Sequence, residues 1–277
     1  MTTTRTAVIT GAASGIGLAL ARRAAVDGMN LVLADIDAVT LATAAASLNI
    51  NPDRLLLLKT DVRKAEQIKA LADAAYDRFG AVHLLCNNAG VALGRVVWEH
   101  TIQDWEWVLG VNLWSVIYGV SEFLPRMQAA GETAHIVNTA SAAGLVSTPG
   151  MAAYNVSKHG VATLSETLYH ELKATNSPVG VSILCPAWVP TGIGRSERNR
   201  PADSGAAMEP GEFSAAIEKG MGKAIASARL SADDMANATF DAVGEKRFYI
   251  IPHRGMISSI ETRFKDISEL RNPTPLS

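Results

Sequence analysis

The chain predicts an α/β protein, a doubly wound parallel sheet of about seven strands in a single domain. Three observations lead there. Short apolar runs alternate with longer helical patterns along all 277 residues, the order that a parallel sheet with crossover helices requires. Some runs are continuously apolar, Leu55 to Leu58 and Val181 to Leu184 among them, as in strands covered on both faces. The first run also feeds directly into a glycine turn and an alanine-rich helix.

In chain order, strands are predicted at 6–10, 30–34, 54–59, 82–86, 133–138, 179–184 and 247–251. Helices are predicted at 15–27, 38–48, 64–79, 103–129, 152–175, 214–228 and 231–244, with a short one near 256–269. Thr101 and Asp104 are spaced as a helix start, a capping hydroxyl three residues before an acid. No repeat or linker divides the chain, so 1–277 reads as one unit, with a cofactor half to about 140 and a catalytic and substrate half after it. Residues 192–213 differ from the rest: glycines, Pro201 and Pro210 punctuate a polar stretch. A long loop in a compact domain is usually functional, so this segment is expected to be a mobile flap.

Composition narrows the function. A hydrophobic content of 48% supports a sizeable core, and a net charge of −2 gives no reason to expect nucleic acid or an anionic membrane as partner. Cys86 and Cys185 lie in apolar strand-like runs and read as buried free thiols rather than a disulfide framework. No secretory leader and no 18-residue apolar run are visible, so a soluble, cytoplasmic protein is expected. Nothing in the sequence calls for a metal site.

Two motifs carry chemistry. In T-G-A-A-S-G-I-G at 10–17, a strand, a glycine turn and a helix follow one another. That order presents backbone N–H groups and a positive helix end to a pyrophosphate. Gly11 permits the turn, Gly15 lets phosphates approach the backbone, and Gly17 lets helix and strand pack closely; Ser14 and Ile16 complete the loop. Further on, Tyr154 and Lys158 stand one helical turn apart, with Ser141 thirteen residues upstream. A phenol with a pKa of about 10 is a poor base at neutral pH. A fixed positive charge nearby favours the phenolate, so Lys158 is expected to lower the Tyr154 pKa and make a proton-transfer pair.

With N-N-A-G at 87–90 added, these motifs resemble the short-chain dehydrogenase/reductase family over roughly residues 5–191. The resemblance implies a Rossmann-like fold, a nicotinamide cofactor, and hydride exchange between an alcohol and a carbonyl. It implies catalytic roles for Asn112, Ser141, Tyr154 and Lys158. Cofactor contacts would come from Gly11, Ser14, Gly15, Ile16, Gly17, Asp35, Asp61, Val62, Asn88, Tyr154, Lys158, Val189 and Thr191. Asp35 ends the second strand, where an acid accepts hydrogen bonds from the adenosine ribose and repels a 2′-phosphate. With no basic residue among Ala12, Ala13 and Ser14, NAD is expected over NADP. Asp35 could instead cap a helix, although Asp37 can do that; Asp61 could also be a cap. Asn112 sits mid-helix, where its side chain competes with the backbone, and such a breach of local rules is expected where function overrides propensity. In the family the matching asparagine helps hold a water that connects the lysine to solvent. C-P-A-W-V-P-T at 185–191 matches the family's P-G-x-V-x-T, but Ala187 replaces the glycine, which puts the local turn in doubt.

The substrate side is read from the flap, residues 142–151, residues 91–97 and Trp188. Alanines, Leu145 and Val146 beside Ser141 suggest an apolar pocket for an aromatic or alicyclic secondary alcohol or ketone. Gly144 and Gly150 could be pocket or turn residues. Trp98, Trp105, Trp107 and Trp114 read as core or interface. R-N-R-P at 198–201 and F-Y-I-I-P-H at 248–253 resemble a branch that includes bacterial benzylic-alcohol dehydrogenases acting on lignin-derived aryl ethers. A homo-oligomer, tetramer or dimer, is expected, because Val116, Phe123, Leu164 and Leu168 suggest more apolar helix surface than one sheet face would cover. The competing class is a cofactor-binding regulatory protein without catalysis; intact Ser141, Tyr154 and Lys158 speak against it.

Overall fold

The computed structural model describes residues 4–200 and 209–275. Seven strands form one sheet: β1 (Thr6–Thr10), β2 (Asn30–Asp35), β3 (Leu55–Lys59), β4 (Leu84–Asn87), β5 (Ala134–Thr139), β6 (Val179–Leu184) and β7 (Tyr249–Ile250). Their spatial order is β3-β2-β1-β4-β5-β6-β7 and every pairing is parallel. The winding reverses between β1 and β4, so a crevice opens there at the carboxyl ends of the strands, where open α/β sheets bind ligands.

Alternation along β1 shows how both faces are covered. Ala7 and Ile9 pack into one core with α1 (Gly15–Val26) and α8 (Ala232–Glu245), through Leu20 and Met235. Val8 faces a second core with α3 (Ala65–Phe79), α5 (Ser115–Ala130) and α6 (Ala152–Ala174), through Ile68, Phe123 and Leu168. The remaining helices are α2 (Ala38–Ala46), α4 (Ile102–Leu109), α7 (Glu212–Ala226) and α9 (Ile257–Ser268). The capping box at Thr101 and Asp104 forms as expected at the start of α4.

Four expectations need correction. The apolar run of β3 is not fully covered on both faces: none of its residues is fully buried and Leu57 is 37% exposed. Residues 103–129 are not a uniform helix, because α4 and α5 are joined by a π turn at Gly110–Trp114. Residues 102–130 are also long and apolar enough by composition to cross a membrane, with mean hydropathy 1.3; Val116, Phe123 and Met127 put that apolar character against the sheet. The same packing removes the residues invoked for oligomerisation, since Val116, Phe123 and Leu168 are buried and Leu164 packs against the core within the chain.

The flap expectation changes as well. Residues Gly192–Asn199 form a 3-10 segment kinked at Arg195, and α7 begins at Glu212; residues 201–208 lie outside the described residues. The arm is anchored at Arg200, which pairs with the buried Asp104 carboxylate and lies 4.4 Å over the Trp107 ring.

Candidate active site

The glycine turn is shaped by space as much as by torsion. Gly11 and Gly15 have φ of +66° and +54°, where side chains are strained. A Cβ on Gly17 would lie 2.1 Å from the Gly11 carbonyl oxygen and 2.7 Å from Asn88 Nδ2. Ser14 begins α1 without a side-chain cap, so the first N–H groups of the helix are not taken by a capping hydroxyl. Asn88 ties the strand ends together: its Nδ2 donates to Thr10 O at 3.0 Å, while its own N–H donates to Thr10 Oγ1 at 2.9 Å.

Asp35 receives N–H bonds from Ala13 and Asp37, both at 3.0 Å. Asp37, accepting from Thr40, caps α2; Asp35 does not. Asp61 likewise does not cap α3, whose N-cap is Lys64, and its carboxylate is chelated by Arg63 at 2.8 to 3.2 Å. Nothing in the sequence marked Arg63, because its partner is set by the turn after β3. Asp35, Asp61, Val62 and Asn88 line one cleft with Gly11, Ser14, Gly15, Ile16, Gly17, Val189 and Thr191.

The same cleft continues to Ser141, Tyr154 and Lys158. Ser141 follows β5; its Oγ donates to Pro186 O at 3.2 Å and accepts from Ala143 N–H at 3.1 Å. Lys158 Nζ lies 5.7 Å from the Tyr154 ring centroid and donates to Thr139 O at 2.8 Å. Burial dominates the electrostatics of both groups. It raises the Tyr154 pKa above its ordinary value, with a hydrogen bond to Ser141 pulling the other way. It also pushes the Lys158 ammonium down to about 8. Lowering of the tyrosine pKa by Lys158 is therefore not the dominant effect: both groups lose hydration together, and the ammonium is engaged by Thr139 O.

Asn112 explains the π turn. Fully buried, it donates to Val91 O at 2.9 Å and Ser157 Oγ at 3.0 Å, and accepts from Val91 N–H at 2.8 Å. It thus clamps the loop after β4 to α6, and π turns of this kind are frequent at functional sites. Sequence reasoning singled out Asn112 but had no signal for Ser157 or for the Thr139 carbonyl.

Ala187 has no positive φ, so alanine fits the turn where the family pattern has glycine. Gly150 has φ +73° and a Cβ there would also crowd the Ile217 side chain, at 2.2 Å; a Cβ on Gly144 would meet Lys158 O at 2.6 Å, a backbone atom. Beyond Ser141 the wall is apolar, with Ala143, Val146, Met151, Trp188, Ile193 and Trp107. Met221 and Met256 also line it and were missed, because α7 and the segment before α9 come from far along the chain. Trp107 is core and wall together, while Trp98 and Trp114 are exposed. Both cysteines are free and buried, their thiols pushed up to about 12. Among the described residues, no group of three His, Cys, Asp or Glu side chains is arranged to hold a metal ion.

A sheet reversed at β1 and β4, a glycine cradle and a Ser/Tyr/Lys end point to one class of protein. A family model described as short chain dehydrogenase matches residues 5–202. The chain belongs to this family and is an oxidoreductase acting on hydroxyl groups. It is similar to a short-chain dehydrogenase/reductase of Burkholderia phymatum solved in complex with NAD: 48% identity, 99% and 98% of the two chains covered, TM-score 0.96. It is 35% identical to a CLA biosynthesis dehydrogenase/reductase of Lactiplantibacillus plantarum, covering 94% of this chain and 91% of that one. It is 34% identical to 1-deoxy-11-beta-hydroxypentalenate dehydrogenase of Streptomyces exfoliatus, covering 95% and 88%.

Proposed function

We propose that the protein uses NAD to interconvert a secondary alcohol and a ketone of hydrophobic, aromatic or alicyclic type. The observation that carries this is one continuous cleft with the glycine cradle and Asp35 at one end and Ser141, Tyr154 and Lys158 at the other. The cradle fits a dinucleotide: Gly17 leaves no room for a side chain, and the first turn of α1 has no capping hydroxyl. Asp35, already accepting two backbone N–H bonds, directs its remaining lone pairs to ribose hydroxyls and disfavours a 2′-phosphate. The NAD complex of the Burkholderia phymatum relative supports the same choice.

A nicotinamide held there supplies the hydride chemistry. Ser141 orients the substrate oxygen and stabilises its charge. Tyr154 carries the proton: its raised pKa keeps the phenol protonated near neutrality, poised to give a proton to a carbonyl oxygen, and alcohol oxidation gains as pH rises. Lys158 holds the nicotinamide ribose and keeps Tyr154 oriented, while Asn112 holds the floor of the site and the route from Lys158 to solvent. Asp61 and Val62 meet the adenine; Val189 and Thr191 hold the carboxamide. The arm at 192–199 closes over the substrate, and hydrogen exchange that is unchanged there by NADH and a substrate analogue would remove that role. The cofactor half extends to about residue 140. The apolar wall supports the substrate class and the narrower benzylic-alcohol resemblance. A cytoplasmic location and a homo-oligomer belong to this proposal; the half-exposed Trp114 and Val156 on the helices support the latter, and a monomer mass by light scattering would remove it.

The test is a panel of secondary alcohols and ketones assayed with NAD(H) and NADP(H), beside Tyr154→Phe. Wild type is expected to turn over with NAD, and the variant to bind NADH but lose about a thousandfold or more in kcat. No turnover by wild type, or comparable kcat in the variant, would overturn the reading.

A further inference from the structure

Past the end of β7 the chain places one imidazole against the loop that follows β6. His253 Nδ1 accepts the Ala187 N–H at 3.1 Å, and its Nε2 donates to Trp188 O at 3.1 Å. Adjacent parallel strands make this contact possible, since β6 and β7 pair through Ile183 with Tyr249 and Leu184 with Ile250. Both bonds together require the neutral ring with its proton on Nε2. Partial burial keeps the ring neutral by lowering its pKa.

The loop it grips is held on a second side. Pro186 O accepts from both Ser141 Oγ, at 3.2 Å, and Ala142 N–H, at 2.8 Å. Residues 186–188 are therefore a short bridge between Ser141 and the Val189–Thr191 stretch. Every backbone bond described on this bridge comes from Ser141, Ala142 or His253.

We infer that His253 is a positioning residue for hydride transfer, setting the 186–188 bridge so that Ser141 and the nicotinamide-holding residues 189–191 keep a fixed separation. It is not among the residues lining the cleft and acts through Ala187 and Trp188. The inference rests on the proposed nicotinamide site. A small displacement of reacting groups costs rate steeply, so the effect belongs in kcat and in the nicotinamide end of the cleft, not in the adenosine end.

The test compares wild type with His253→Phe, which keeps a ring but makes neither bond, and with His253→Asn, whose amide oxygen can replace Nδ1 as acceptor for Ala187. Dissociation constants for NADH and for ADP-ribose, which lacks the nicotinamide, are measured with the steady-state constants. His253→Phe is expected to lose about tenfold or more in kcat and to weaken NADH severalfold, with ADP-ribose little changed; His253→Asn recovers part of both losses. Equal weakening of NADH and ADP-ribose, or a kcat near wild type in His253→Phe, would overturn the inference. If His253→Phe does not fold, His253→Asn decides alone by the same ratio. A wild type that does not bind NADH would overturn the proposed function as well, which separates the two failures.

Discussion

The two ends of the cleft are built differently. At the cofactor end the surface is mostly backbone: a side-chain carbon on Gly11 would press on Ala89, one on Gly17 would collide with Gly11 O and the Asn88 side chain, and Gly15 faces Thr191 at a positive φ. At the substrate end the surface is mostly side chain, with alanines, methionines and tryptophans around Ser141 and Tyr154. In the proposed function a backbone-built site reads a feature that every dinucleotide shares, and its close backbone contacts leave little scope for substitution. A side-chain-built site can be reshaped at small cost, so the proposed function assigns specificity to that end.

The sharpest test of that contrast is Lys158→Met, because Lys158 is a charged group in the side-chain half. Turnover should fall about a thousandfold. Stability should be equal or up to about 2 kcal/mol higher, since removal of a buried ammonium with pKa about 8 offsets the Thr139 carbonyl left without its donor. Urea unfolding showing a loss of more than about 1 kcal/mol would mean that Lys158 supports the fold. Gly17→Ala probes the other half. A methyl placed 2.1 Å from Gly11 O should cost about 3 kcal/mol and remove NADH binding; calorimetry and fluorescence titration check both, and a well-folded variant that binds NADH normally would break the comparison.

Acid should weaken the second half of the sheet. Burial, with help from Arg5 and Lys246, pushes His135 on β5 down to about 4 from 6.5. The unfolded chain takes up that proton below about pH 6.5 while the folded chain resists until about pH 4, so stability falls across this window. The loss is of order 2 to 3 kcal/mol. Denaturation midpoints should show this limb, and His135→Gln should flatten it. The smallest effect is expected from Ala143→Leu in the apolar wall. It should lower kcat/KM for bulky ketones about tenfold relative to small ones, with NADH affinity unchanged; an equal loss for both would place Ala143 outside the substrate contact surface.

Local pattern made most of this legible. The glycine turn, the Tyr154 to Lys158 spacing and the alternation of runs each depend on residues close in sequence, and the structure brings them to the expected places. Strand β3 departs from its pattern because an apolar run does not say whether other elements cover both of its faces. The π turn at Gly110–Trp114 was hidden because its cause, Asn112 bonding to Val91 and Ser157, joins residues 21 and 45 positions away. Val116, Phe123, Leu164 and Leu168 pack within the chain for a similar reason: periodicity marks an apolar helix face but not what covers it.

By itself, then, the sequence determined the parallel α/β sheet, the glycine turn and the Tyr154 to Lys158 spacing, since all of these follow from short-range spacing and backbone sterics, while the resemblance added Ser141 to that pair. Tertiary structure alone decided that burial raises the Tyr154 pKa, that Met221 and Met256 line the apolar wall beyond Ser141, and that His253 grips the loop after β6. Those properties depend on which distant segments exclude water from the same volume, and dehydration and packing are set by the folded arrangement rather than by neighbours along the chain.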